Sequence, residues 1–396
     1  MKAGKVPENV LKRSVLRQVN GISKRGEGGA GIGKDCAAFL FAQEGKLVSC
    51  VQEAVVLAGG LTGSETTQAQ HGEAFMTLAD LIQKCANNLA AGGARLRAVM
   101  LTLLLPEDSE ESVLRGLTEE AAGKCRELGL EIAGGQSRVS GAVVSPVAVV
   151  TGYGVPIEGS DDRASEPPGK ASMGGLERAF DNGVSELPGA FASGPGHTLA
   201  KGVSELPGKA SADDREHAGR KAVPGQDIVL SKWIGLQGTA VLAKRSREKL
   251  SGRYPAYLVE EAAGFGRYLS VLPEAETAVK NGVRAMHDAS EGGILGALWE
   301  FAEGSGVGLD VDMRSLPLRQ ETVEVCECCN VNPYELMSGG CLIMACRDGR
   351  ELAAALKAEG IPATVVGKVT AGRERILHNG EEIRYMNRPA RDGIYM

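Results

Sequence analysis

His287, Asp288, Ser290 and Glu291 stand together ahead of the pair Gly292-Gly293, and Ile294, Leu295, Leu298 and Phe301 then recur at helical spacing. The pattern reads as a polar loop feeding a helix. Backbone N–H groups at such a start lack partners and carry the positive end of the helix dipole, so the loop suits an anion such as a phosphate. A histidine and a carboxylate there can orient a substrate or move a proton near neutral pH. His287, Asp288 and Glu291 are therefore the candidate catalytic residues, with Gly292 and Gly293 as ligand-binding positions. Adjacent residues do not generally face one another, so no shared relay is expected of His287 and Asp288. The same residues also fit an ordinary Asp/Ser cap before a core helix.

A second stretch, Lys24 to Phe39, carries glycines at 26, 28, 29, 31 and 33 and then Lys34 and Asp35. Such a backbone can approach a ligand closely. No strand leads into it and no Gly-Lys-Ser/Thr ends it, so it is neither a Walker loop nor a dinucleotide fingerprint; a mobile surface loop explains it about as well. Small residues also cluster in Asn87-Asn88-Leu-Ala-Ala-Gly-Gly-Ala94 and in Gly134-Gly135-Gln136-Ser137.

Strands and helices must position these groups. Pro7–Val19 reads as a helix, 47–57 as a strand, 72–89 as a helix, 96–105 as a strand, 109–128 as a helix, and 130–133 and 143–153 as strands. From 157 to 223 the chain turns rich in Gly, Pro, Ser, Ala and charge, and Gly183-Val-Ser-Glu-Leu-Pro-Gly189 recurs at 202–208. Two copies of so short a unit build no solenoid; the segment reads as a disordered insertion, with folding on a partner as the alternative. Beyond it come a strand near Ile228, helices at 239–250 and 257–269, a strand at 308–313, a helix at 319–329, a strand at 342–346, a helix at 349–359 and a last strand at 363–370. The fold class expected is α+β, with mixed α/β domains at 1–156 and 224–396 flanking the insertion.

Composition removes several functions. Hydrophobic content of 43% and charged content of 24% are those of a globular chain. A net charge of −6, no basic stripe and 4% aromatic residues argue against a nucleic-acid partner. No apolar run spans a bilayer and no signal peptide is evident, so a cytoplasmic protein is expected. Nine irregularly spaced cysteines fit reduced thiols. Cys326, Cys328 and Cys329 lack a second ligand pair for zinc, and Cys36 is expected to pack as a small hydrophobe.

Pro224 to Ala240, with His287-Asp288-Ala-Ser-Glu291-Gly292-Gly293, Asn332-Pro333, Ser338-Gly339-Gly340 and Val366-Gly367-Lys368-Val369, resembles the C-terminal domain of aminoimidazole ribonucleotide (AIR) synthase-related proteins. Gly33-Lys-Asp35-Cys-Ala-Ala, Asn87–Ala94 and Gly134–Ser137 resemble the N-terminal blocks of that PurM-like superfamily, which also contains thiamine-monophosphate kinase, selenophosphate synthetase and a hydrogenase maturation factor. The resemblance implies an ATP-using homodimer joined through its N-terminal domains, taking a nucleotide and a small-molecule substrate. It implies nucleotide contacts from Gly31, Gly33, Lys34, Asn87, Gly134, Gly135 and Gln136, and Mg²⁺ held by Asp35, Glu53 and Asn88. The chain departs from the family where Glu53 and Asn88 replace aspartates and where Arg138 follows Gly134-Gly-Gln-Ser. The branch it most resembles is the hydrogenase-maturation-factor-like one, but the chain ends Arg388–Met396 without the reactive cysteine of the hydrogenase maturation enzyme, so that specific chemistry is not expected. Two readings result: Mg-dependent phosphoryl transfer to a carbonyl or carboxyl oxygen, or a degenerate nucleotide-binding or regulatory protein without turnover.

Overall fold

The computed structural model describes residues 37–40, 46–56, 76–158 and 221–395. The expected helix at 7–19, the glycine-rich stretch and most of the expected insertion lie outside these residues.

The first domain is one five-stranded sheet with helices on one face. Its strands are β1 (Ala37–Leu40), β2 (Lys46–Val55), β3 (Ala94–Leu105), β4 (Glu131–Val139) and β5 (Val147–Pro156), in the order β1-β2-β5-β3-β4. All neighbours are antiparallel except β3 and β4. Helices α1 (Leu78–Ala91) and α2 (Glu111–Leu128) cover one face, and α2 does so with Leu117, Ala121 and Cys125 at four-residue spacing. Burial consequently alternates along β3 and β5. On the other face Val51, Thr151 and Met100 form one cross-strand row and Glu53, Val149 and Thr102 another. Strand β4 is exposed along its whole length. It reaches Val139, so Gly134, Gly135 and Gln136 lie within a strand that the sequence ends at Ala133. A Cβ at Gly135 would meet the Leu101 carbonyl oxygen at 1.9 Å, which is why β4 can lie so close to β3.

The second domain is a seven-stranded sheet between helical layers. Strands β6 (Asp227–Ser231), β7 (Ala285–Ala289), β8 (Gly308–Asp312), β9 (Cys341–Cys346), β10 (Ala363–Thr370), β11 (Arg375–Asn379) and β12 (Glu382–Tyr385) run in the order β12-β11-β8-β10-β6-β9-β7. Helices in chain order are α3 (Leu236–Arg245), α4 (Arg247–Ser251), α5 (Ala256–Ala263), α6 (Leu272–Lys280), α7 (Gly293–Ser305), α8 (Gln320–Cys329) and α9 (Gly349–Ala358). One face packs under α7 through Ile294, Leu298 and Phe301, and the other under α6 and α9 through Ala275, Val279, Leu352 and Leu356. Covered on both sides, β9 is buried at every position.

The two domains meet at the end of α1. Its Ala90 and Ala91 belong to the same core as α6 and α9, so from Cys85 onward the helix is buried on all sides. Ile157 joins that core and Ala222 the one under α7, so the packed chain extends slightly into the range that composition assigns to the insertion. Sequence periodicity also misses α6, β7 and the β11-β12 hairpin.

Candidate functional site

The stretch expected as a loop is a strand, a turn and a helix start. Strand β7 puts Ala285 and Ala289 into the core beneath α7, and His287 between them points the same way. Met286 and Asp288 point to the opposite face, where α1 packs. The alternation of a strand thus separates the two candidate catalytic groups. His287 is buried, with Nε2 3.5 Å from Oε2 of Glu300 on α7. Asp288 is buried and faces the domain junction.

That junction is polar. Asn87 Nδ2 donates to Leu269 O at 2.7 Å, and Asn87 Oδ1 accepts from Val271 N at 3.1 Å and from Gln83 Nε2 at 3.0 Å. The amide of this residue, expected at the nucleotide, is thereby committed to docking one domain on the other. Asn88, one residue on, is 7% exposed, and its Oδ1 is buried with no hydrogen-bond partner among the described residues. Beneath the loop at 269–271 lies Lys232, which the sequence reading missed. Its Nζ donates to Ser270 O at 2.6 Å and Gly340 O at 2.9 Å and pairs with the buried carboxylate of Glu274 on α6. Burial raises the Glu274 pKa above the ordinary carboxylate value, against the opposing pull of Lys232. Cys341 lies within reach of the charges of Lys232, Asp288 and Glu274, and burial pushes its thiol up to about 12. Beside the junction Gln83, Arg95, Arg97, Ser270 and Glu276 line a cavity of about 260 Å³.

The turn after β7 is occupied from within the chain. Gly292 N donates to Asp392 Oδ2 at 2.6 Å, and Asp392 Oδ1 accepts from Met337 N at 3.2 Å and Ile394 N at 2.9 Å. The helix start expected to hold a ligand's anion holds this carboxylate instead. Burial pushes Asp392 up to about 6, with the three N–H bonds opposing and the Glu291 charge adding to the rise. Gly293 has φ +63°, and a Cβ there would lie 2.6 Å from backbone atoms of Tyr334 and Glu335. Ser338 ties the block further, donating its N–H to Ser290 O and accepting from Gly235 N.

The expected magnesium ligands do not assemble among the described residues. Asp35, like Gly31, Gly33 and Lys34, lies outside them. Glu53 is exposed on the open face of the first sheet, whereas Asn88 sits on α1 under the covered face. The orphaned oxygen of Asn88 suits an oxygen-seeking cation in kind. No group of three or more His, Cys, Asp or Glu residues among the described ones could hold a metal ion. Cys326 and Cys328 are buried on α8, where burial pushes the Cys326 thiol up to about 12.

Two domains of this architecture, joined at a polar seam, define a protein class. Residues 34–155 match the family model of the AIR synthase related protein N-terminal domain and residues 223–379 that of its C-terminal domain. The chain belongs to this family. Among curated relatives, carbamoyl dehydratase HypE of Rhodobacter capsulatus is 27% identical over 290 residues, covering 72% of this chain and 67% of that protein. HypE of Azotobacter vinelandii is 29% identical over 40% of this chain and 46% of its own length. Among solved structures, hydrogenase maturation protein HypE in complex with ATP superposes with a TM-score of 0.60 at 16% identity, covering 100% of this chain and 98% of that one. Thiamine monophosphate kinase from Aquifex aeolicus gives 0.56 at 17% identity, over 95% and 99%. The fold is the PurM-like one. No helix among the described residues is long and apolar enough to cross a membrane.

Proposed function

We propose that this chain binds ATP and transfers a phosphoryl group to a carbonyl or carboxyl oxygen of a small substrate or of a maturation partner. The observation that carries the reading is the orphaned Asn88 oxygen at the seam between the domains, close to the strand that carries Asp288. Among described residues it is a buried polar atom of the first domain left without an account. An oxygen ligand to Mg²⁺ supplies one, with Asp35 as its expected companion. The bound ion would neutralise phosphate charge; Asp288 would orient the substrate. Support from relatives is of the same kind: a HypE structure holds ATP, and a thiamine monophosphate kinase structure holds AMPPCP and TMP. The reading places the protein in the cytoplasm with its nucleotide. The alternative, a binding or regulatory protein without turnover, draws on Glu53 standing apart from Asn88 and on the neutral side chain at position 88.

Calorimetric titration with a non-hydrolysable ATP analogue, with and without Mg²⁺, is the test. Magnesium-dependent binding that is lost in Asp35→Ala supports the enzyme; no binding under either condition removes it. ATP hydrolysis that is weak in the native chain and rises roughly tenfold in Asn88→Asp, a change of about 1.4 kcal/mol, identifies a decayed metal site. No change in that variant shows that the metal is not held there.

The same reading includes a homodimer. The open face of the first sheet carries Val51 and Met100, 53% and 41% exposed, beside the exposed strand β4. We assign it to a second copy of the chain, whose matching face would cover both. Light scattering is expected to show a dimer, and Val51→Glu with Met100→Glu a folded monomer; a native monomer would refute the assignment.

A further inference from the structure

The segment Arg388–Ile394 lies beyond both family-model spans and reaches the His287–Gly293 block twice, once through Glu300 and once directly. At the first, Arg388 donates to Glu300 Oε1 at 3.2 Å, and the other oxygen of that carboxylate faces His287 Nε2. The Arg388 guanidinium also rests 5.3 Å from the centre of the Trp299 ring. At the second, Asp392 accepts from Gly292 N and Met337 N, so one side chain joins the turn after β7 to the 332–338 loop. The segment is itself held down: Ile394 is fully buried with Leu242 and Val325, Gly393 N donates to Glu335 O at 3.0 Å, and Arg245 reaches Ile394 O.

We infer that this segment is a strap that sets the geometry of the His287–Gly293 block, with Arg388 acting through Glu300 on His287 and Asp392 acting directly on the turn. The inference rests on the proposed function only in taking that block as part of the site. The two carboxyl oxygens of Asp392 accept three backbone N–H groups, including one at the otherwise unpaired start of α7. Without it, the Gly292 and Met337 N–H groups lose their partner in a region with little water.

The strap should also respond to pH. The Asp392 carboxyl lies above its ordinary value in the docked state, so docking binds a proton more tightly than release does. Docking therefore gains as pH falls through about 6 and weakens as it rises. Glu291 on the turn, Glu335 on the 332–338 loop, Arg391 in the strap and Arg245 on α3 are the charged groups around it; of these Glu291 pushes the Asp392 value the same way as burial.

Hydrogen exchange read by mass spectrometry on the full chain, without nucleotide, tests the strap independently of any activity. Asp392→Ala, which leaves the three N–H groups without an acceptor, is expected to speed exchange at least tenfold in peptides spanning 289–295 and 335–339, with slower exchange there in the native chain at pH 5.5 than at pH 8 after correction for the intrinsic rate. Only five histidines are present, so carbon-labelled histidine spectra can follow His287. Arg388→Gln is expected to shift its titration, and Arg388→Lys to restore part of it. Unchanged exchange at 289–295 in Asp392→Ala, with 388–395 newly open to protease, would overturn the strap. So would a His287 titration indifferent to Arg388.

Discussion

Lys232→Met is expected to cost the fold about 3–5 kcal/mol at pH 8, the scale for removing one partner of a buried ion pair. Lys232 is the counter-charge of a carboxylate only 1% exposed, and its ammonium also joins the 268–271 loop to Gly340. Glu274 already has a raised pKa with Lys232 in place, because desolvation outweighs the pair. The folded state therefore binds the Glu274 proton more tightly than the unfolded state, and stability falls as pH rises through the folded value. Removing Lys232 raises that value further. Urea unfolding should consequently show a larger loss at pH 8 than at pH 5, because the cost of an unpaired Glu274 charge grows as pH rises. Lys232→Met combined with Glu274→Leu should recover most of the loss. Equal losses at both pH values would mean that the lysine acts through its carbonyl contacts alone.

Gly293→Ala and Gly292→Ala should differ although the residues adjoin and both have positive φ. A left-handed conformation costs a side chain about 1–2 kcal/mol at either position. At Gly292 the nearest atom to an added Cβ is Gly296 Cα at 3.6 Å, an ordinary contact, so the loss should stop there. At Gly293 the Cβ would meet backbone atoms of Tyr334 and Glu335 at 2.6 Å, and backbone cannot rotate away. Forcing those segments apart adds about 1–3 kcal/mol, for a total of about 2–5 kcal/mol. Thermal unfolding of the two variants measures the gap; equal midpoints would remove the close approach as the reason for Gly293.

The two-domain architecture was legible because most helices and strands carry their own signal. Leu117, Ala121 and Cys125 repeat at helical spacing, and β3 alternates wherever one face is covered. What was not legible follows from tertiary context. Strand β7 reads as a loop because His287 and Asp288 are polar, yet one meets Glu300 and the other faces α1, and neither partner is near in sequence. Asn87 and Asn88 look equivalent, and only the approach of Leu269 and Val271 distinguishes a docking amide from an orphaned one. Lys232 carried a faint signal, a charge closing the apolar strand Ile228–Leu230. Asp392 carried none, since the two partners that give it its place, Gly292 and Met337, lie far back along the chain.

The burial of α1 between two cores bears on how the polypeptide can be divided. Ala90, Ala91 and Asn87 keep the halves in register through side-chain and backbone contacts made entirely outside residues 159–220. The first half and the second half, supplied as separate polypeptides, are therefore expected to associate through this seam, which either half alone would carry bare into solvent.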